Sequence, residues 1–174
     1  MTPLVELSDA PLDLERLIVA VRSDACGAVS AFLGVVRERS DDDRAVDGLS
    51  YEVYEEMALP EMRAIADEAA VKFGEARIAL VHRTGSLRLG ETSVAIAVAA
   101  AHRGVAFDAC EYVIDELKRR VPIWKKEHYT TGQTEWRANR GEPRESAAGG
   151  SGDIVPRLKE SAAGGSGDTG PRLK

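Results

Sequence analysis

A chain of 174 residues is long enough for one hydrophobic core and too short for two domains of ordinary size. Its 44% hydrophobic and 30% charged residues fit a soluble globular protein, and no apolar run approaches the roughly 18 residues that cross a bilayer. A formal charge of -6 argues against general affinity for nucleic acid.

The N-terminal segment, MTPLVELSDAPLDLE, has no basic patch before an apolar run, so a cytoplasmic protein is the simplest expectation. LVEL at 4–7 reads as a short strand, after which Asp9 can cap and Pro11 can begin a helix. From Leu12 to Arg22 that helix places Leu14, Leu17, Ile18 and Val21 on one face. GAVSAFLGVVR at 27–37 is rich in strand formers, and the acidic run 38–48 reads as a solvated loop. LSYEVYEE at 49–56 alternates as a half-buried strand does. A helix is then expected from Leu59 to Phe73, with Met62, Ile65, Ala66, Ala69 and Phe73 inward and Gly74 as its stop.

Two strands follow, 76–85 and 92–103, joined by SLRLGE, a link short enough for antiparallel neighbours. From Val105 to Val121 the set Phe107, Cys110, Ile114, Leu117 and Val121 recurs at helical intervals, and Pro122 ends the run. IWKKEHY and EWRANR then read as extended segments around a Thr-Thr-Gly-Gln turn. The order strand, helix, two strands, helix, two strands, helix, two strands, without a glycine-rich phosphate loop, predicts an α+β fold with a mainly antiparallel sheet and packed helices. That domain is expected to span residues 1–144. Residues 145–159 and 160–174 are two near-identical 15-residue copies, ESAAGGSGDIVPRLK and ESAAGGSGDTGPRLK. The copies have three and four glycines and few large apolar side chains, so the sequence predicts a disordered tail.

Cys26 and Cys110 stand far apart in apolar surroundings, which predicts two buried thiols rather than a disulfide, a redox pair or a metal site. The histidines, His82, His102 and His128, lack the spacing of metal ligands, so neither a metal nor a cofactor is expected. Charge is uneven. Residues 1–75 carry 7 Lys and Arg against 17 Asp and Glu, whereas residues 76–144 carry 12 against 8. Anion-binding chemistry is therefore expected in the second half. His102 and Arg103 stand where a strand gives way to a helix, whose free N–H groups favour anions. At the other end of that helix, Lys118 and Lys125 flank Pro122, with Ile123 and Trp124 as a potential apolar anchor for Lys125. Arg37 ends an apolar strand, either paired with the acidic run or aimed into a pocket. His82, beside Arg83, reads more readily as a structural than as a catalytic histidine.

FLGVVR, LSYEVYEEMA, VHRTGSLRLGE, VAAAHRGVAFDACEYVIDELKRRVPIWKKE and EWRANR, in this order, resemble the large, catalytic subunit family of molybdopterin synthase. The resemblance covers roughly residues 3–140. It implies an α/β-hammerhead-like fold and a sulfurtransferase that converts cyclic pyranopterin monophosphate into molybdopterin by installing a dithiolene. It implies a small ubiquitin-like partner whose C-terminal Gly-Gly carries the sulfur as a thiocarboxylate, and a homodimer of this subunit within a 2:2 heterotetramer. Arg37, His102, Arg103 and Arg140 line up with the family's substrate-binding residues, with Arg137 an alternative to Arg140. Lys118 and Lys125 line up with its catalytic ones. Two other readings stay open: a scaffold or regulatory protein of the same fold, and a phosphate- or RNA-binding module using the basic half. The second lacks any stacking pattern of aromatic residues.

Overall fold

Residues 78–81 and 94–100 are apolar without interruption, which is the pattern of strands covered on both faces. The computed structural model, which describes residues 3–74 and 76–138, puts them at the centre of the fold. They lie in β4 (Arg77–Arg83) and β6 (Thr92–Ala100), antiparallel neighbours in a sheet flanked by β1 (Leu4–Ser8) and β2 (Ala28–Val35). The strand order is β1-β4-β6-β2, with β1 parallel to β4 and β2 antiparallel to β6.

Helix α1 (Leu14–Val21) covers one face of this sheet. Leu17 and Val21 pack on Ala79, Val81, Ala95, Ala97 and Ala99, small side chains that let the helix lie close. Truncating Leu17, which is 1% exposed, to Ala would cost about 2–5 kcal/mol. The opposite face carries α2 (Glu55–Lys72) and α3 (Arg103–Arg120), whose Met62, Ile65, Val113 and Leu117 meet Ile78, Leu80, Ile96 and Val98.

A second sheet, in the order β5-β3-β7-β8, is antiparallel throughout. It comprises β3 (Val46–Val53), β5 (Gly85–Arg88), β7 (Ile123–Tyr129) and β8 (Thr134–Ala138). Leu49, Tyr51, Leu87, Ile123 and Tyr129 turn inward to join the core of the first sheet. The segment between β4 and β6 is thus more than a link. Gly85, at φ 76, turns the chain so that β5 pairs with β3 in the other sheet.

The α+β class and the antiparallel pairing of the strands around 76–103 agree with the sequence. Four local readings differ. Asp13, not Asp9, caps α1, its carboxylate accepting the Arg16 N–H at 3.2 Å, because it directly precedes the first helical residue. Helix α2 starts a turn earlier than Leu59 and takes Pro60 into its interior; the Tyr54 carbonyl instead accepts from Met57 and Ala58. Phe107 is 60% exposed rather than core. The buried stripe of α3 runs through Ala106, Ala109, Cys110, Val113 and Leu117, and at 3.6 residues per turn Phe107 falls beyond its edge. Cys110 is buried, as expected, but Cys26 is only partly so.

No helix among the described residues is long and apolar enough to cross a membrane. Arg140 and the repeated tail from 145 onward lie outside the described residues.

Candidate active site

Where the edge of the first sheet meets the second sheet and the C-terminal end of α3, the molecule leaves a cavity of about 390 Å³. Phe32, Gly34 and Val35 of β2 form one wall, Tyr51 of β3 and His82 of β4 lie deep, and Ile114, Leu117 and Lys118 of α3 close another side. Lys125 and Glu127 of β7 and Arg37, Arg39 and Asp41 of the segment after β2 complete it. Gly34 belongs there by necessity: a Cβ at that position would lie 2.7 Å from Val94 Cγ1.

Three of the sequence's candidates, Arg37, Lys118 and Lys125, therefore converge on one cavity although the sequence separates them by up to 88 positions. Lys118 emerges from the last turn of α3, one residue past buried Leu117. It has no ion-pair partner among the described residues, so its ammonium is available to a ligand. Lys125 reaches the cavity because β7 alternates: Ile123, Lys125, Glu127 and Tyr129 share the inward face. Ile123 is the buried anchor beside it, whereas Trp124 points the other way and is 49% exposed.

Glu127 is the electrostatic anchor of this face. It is 3% exposed, receives Lys125 Nζ at 2.9 Å on Oε1 and the Tyr129 hydroxyl at 2.6 Å on Oε2, and lies 3.6 Å from Arg137 Nε. Burial opposes its ionisation, but the bonds from Tyr129 and Lys125 outweigh that, and its pKa lies below the usual carboxylate value. Arg137 is thereby placed behind Glu127 instead of lining the cavity; it also donates to Asp42 at 2.5 Å.

The acidic run 38–48 is a tightly closed turn rather than an open loop. The Ser40 N–H donates to the Arg44 carbonyl and the Arg44 N–H to the Ser40 hydroxyl, each at 3.0 Å, Arg39 bridges Ala45, and Asp43 takes φ 63. Arg44 then stacks its guanidinium 3.9 Å above the Tyr129 ring, donates to the Tyr129 hydroxyl at 2.7 Å and pairs with Glu135 at 2.5 Å. This ties the turn to β7 and β8 and fixes Arg37 and Arg39 over the cavity. Arg37 is 64% exposed and holds Asp41, resolving its two expected fates into both at once. Arg39 pairs with Asp43 at 3.2 Å.

His102 and Arg103 are placed elsewhere. They start α3, exposed, with His102 at the N-cap making no side-chain cap bond. Fifteen residues of helix separate Arg103 from Lys118, about 22 Å at 1.5 Å per residue. One chain does not bring both groups to one cavity. Conversely, Arg39, Tyr51, His82 and Glu127 line the cavity without having been singled out for it. The alternation of β7 was the signal for Glu127; for Tyr51 and Arg39 only the tertiary fold supplies one.

Comparison with known proteins gives one answer. The MoaE protein family model matches residues 7–120. A molybdopterin synthase catalytic subunit from Coccidioides immitis is 42% identical over 139 residues, covering 78% of this chain and 70% of the relative. One from Thermoplasma volcanium is 42% identical over 132 residues, covering 76% and 96%. Among solved structures, molybdopterin synthase from Staphylococcus aureus superposes with a TM-score of 0.72 at 35% identity, over 76% of this chain and 95% of that one. A complex of subunits 1 and 2 of molybdopterin-converting factor from Helicobacter pylori shares the fold, with a TM-score of 0.62 at 22% identity over 83% and 97%. By sequence and by fold, the chain belongs to the MoaE family, whose curated relatives are molybdopterin synthase catalytic subunits.

Proposed function

We propose that this chain is the catalytic subunit of a molybdopterin synthase, a cytoplasmic sulfurtransferase, and that the cavity between Arg37, Lys118 and Lys125 is where cyclic pyranopterin monophosphate is converted. The observation that carries the reading is the convergence of Arg37 from the segment after β2, Lys118 from α3 and Lys125 from β7 on one pocket large enough for a small heterocycle. A phosphate-bearing substrate calls for such groups: guanidinium matches phosphate oxygens with paired donors, and ammonium supplies a compact charge.

Sulfur arrives as the C-terminal thiocarboxylate of a small partner, whose Gly-Gly end is narrow enough to enter the cavity. The H. pylori complex of two subunits supports a partner of this kind. In the first step the thiocarboxylate sulfur displaces an oxygen substituent from a side-chain carbon of the pterin: the C–S bond forms as the C–O bond breaks, the departing oxygen takes a proton from a cavity lysine, and a thioester links substrate and partner. Water then adds to the thioester carbonyl; the bond from acyl carbon to sulfur breaks, leaving sulfur on the substrate and a carboxylate on the partner. A second cycle completes the dithiolene. Lys118 and Lys125 supply the proton transfers and steady the oxyanion of the thioester step. Neither Cys26 nor Cys110 lines the cavity, in keeping with sulfur coming from outside the chain.

His102 and Arg103 enter this reading through a second copy. The active unit is a homodimer within a 2:2 assembly, and each α3 N-terminus serves its neighbour's cavity, since its own is out of reach. The outer side of edge strand β2, with Val29, Leu33 and Val35 each more than 40% exposed, supports burial of this region in an interface. The test is complementation in an assay with thiocarboxylated partner. Arg103→Ala and Lys118→Ala are each expected to be nearly inactive. Mixed after reversible dissociation, they form hybrids with one intact site, and about one quarter of wild-type activity returns, the statistical share for a two-fold dimer. No recovery from hybrids shown to form would overturn the shared site.

A further inference from the structure

His82 is 2% exposed, and the one opening it has is the cavity it lines. Its environment fixes the ring. Nδ1 lies 2.7 Å from the carbonyl oxygen of Arg83, which can only accept, so Nδ1 carries the proton and donates. The Tyr51 ring meets the imidazole edge-on at 5.0 Å between centroids. Burial holds the ring neutral, its pKa lowered to about 4. Nε2 is therefore a bare lone pair, and it has no hydrogen-bond partner among the described residues. It is not sealed in the core either, since the buried side-chain polar atoms without a partner are Arg77 Nε and Arg83 Nε.

Of the cavity's cations, Arg37 is 64% exposed and Lys125 is already paired with Glu127 at 2.9 Å, while buried His82 offers the cavity an acceptor. A lone pair offers phosphate oxygens nothing to accept from, whereas the arginines donate to them. We infer that His82 is a specificity-determining residue: its Nε2 accepts a hydrogen bond from an N–H or O–H group of the substrate's heterocycle, while the cavity's cations hold the anion. The cavity thus selects ligands that carry both a phosphate and a ring donor. This rests on the proposed pterin substrate, whose ring nitrogens supply such donors, and adds the direction in which it lies.

The experiment is calorimetric titration of wild-type, His82→Phe and His82→Gln proteins with cyclic pyranopterin monophosphate and, separately, with inorganic phosphate. Phe keeps the ring against Tyr51 and removes both nitrogens; Gln returns an acceptor. For His82→Phe the precursor is expected to bind about tenfold or more weakly, the effect of deleting one buried hydrogen bond, with phosphate affinity unchanged. His82→Gln is expected to recover part of the loss. Equal losses for both ligands, or none for the precursor, would overturn the inference. If the variants do not fold, nitrogen-15 NMR of the wild-type imidazole decides. Nε2 should be unprotonated in the free protein and should shift with precursor but not with phosphate; a protonated or unresponsive Nε2 overturns the inference. Wild-type protein that binds phosphate but not precursor would overturn the proposed substrate and this inference together. Wild-type binding matched by undiminished His82→Phe binding overturns the inference alone.

Discussion

Replacing Glu127 by Gln preserves the shape of the side chain and removes its charge, so it asks what the anchor under Lys125 contributes. Glu127 is almost fully buried and bonds Lys125, Tyr129 and Arg137. Removing one member of a buried ion pair typically costs about 3–5 kcal/mol. Here Lys125 is 17% and Arg137 34% exposed, so water recovers part of that, and about 2–3 kcal/mol is expected. For a domain of this size that lowers Tm by about 6–12 °C. The pH dependence has a definite sign. The folded pKa of Glu127 lies below its ordinary 4.5, so its contribution is complete above that value and is lost as pH falls through the folded pKa. The gap in Tm between wild type and Glu127→Gln should therefore be widest near neutrality and close on strong acidification. Calorimetric melts across that range make the check. A variant melting within a degree of wild type at pH 7, or a gap indifferent to acid, would refute the assignment of Glu127 as the charge that holds Lys125.

Lys118→Ala should fold normally, with Tm within about 1 °C of wild type because a partly exposed side chain without an ion pair is removed, while product formation falls about a hundredfold or more. Near-normal turnover would take Lys118 out of the mechanism. Asp41→Asn should tighten precursor binding about two- to fivefold in titration, because the exposed Arg37–Asp41 pair no longer competes with phosphate; weaker binding would mean Asp41 orients Arg37 rather than competing for it. Arg44→Ala should lower Tm by several degrees and raise the KM for precursor, since the turn carrying Arg37 loses its tie to Tyr129 and Glu135.

Much of the fold was legible because local signals agree with it. The apolar runs at 78–81 and 94–100 announce doubly covered strands, and the three- and four-residue spacing of 106–117 announces α3. What the sequence hid is tertiary. Nothing in SLRLGE says that it leaves the first sheet to pair with β3, because a short link between antiparallel strands and a short strand of a second sheet look alike. Phe107 fits the helical period as well as Cys110 does; only the position of the sheet decides which edge of the stripe is covered. At the site, Lys118, Lys125 and Arg37 were found as cations at the ends of apolar elements, where side chains leave the core for a pocket. Arg39, Tyr51 and Glu127 escaped because their role depends on two sheets meeting. His102 and Arg103 were rightly noted at a helix start, yet periodicity alone does not show that a helix of 18 residues carries them about 22 Å from Lys118.

The most direct measurement of the central claim is a crystal structure of the protein with cyclic pyranopterin monophosphate bound. The account predicts the phosphate within hydrogen-bonding reach of Arg37 and Lys118 or Lys125, with the pterin ring directed toward His82. A second cleft, lined by Ser23, Cys26, Arg77 and Ala101, offers an independent place for a ligand. Precursor seated there, with the cavity between Lys118 and Lys125 empty, would contradict the account.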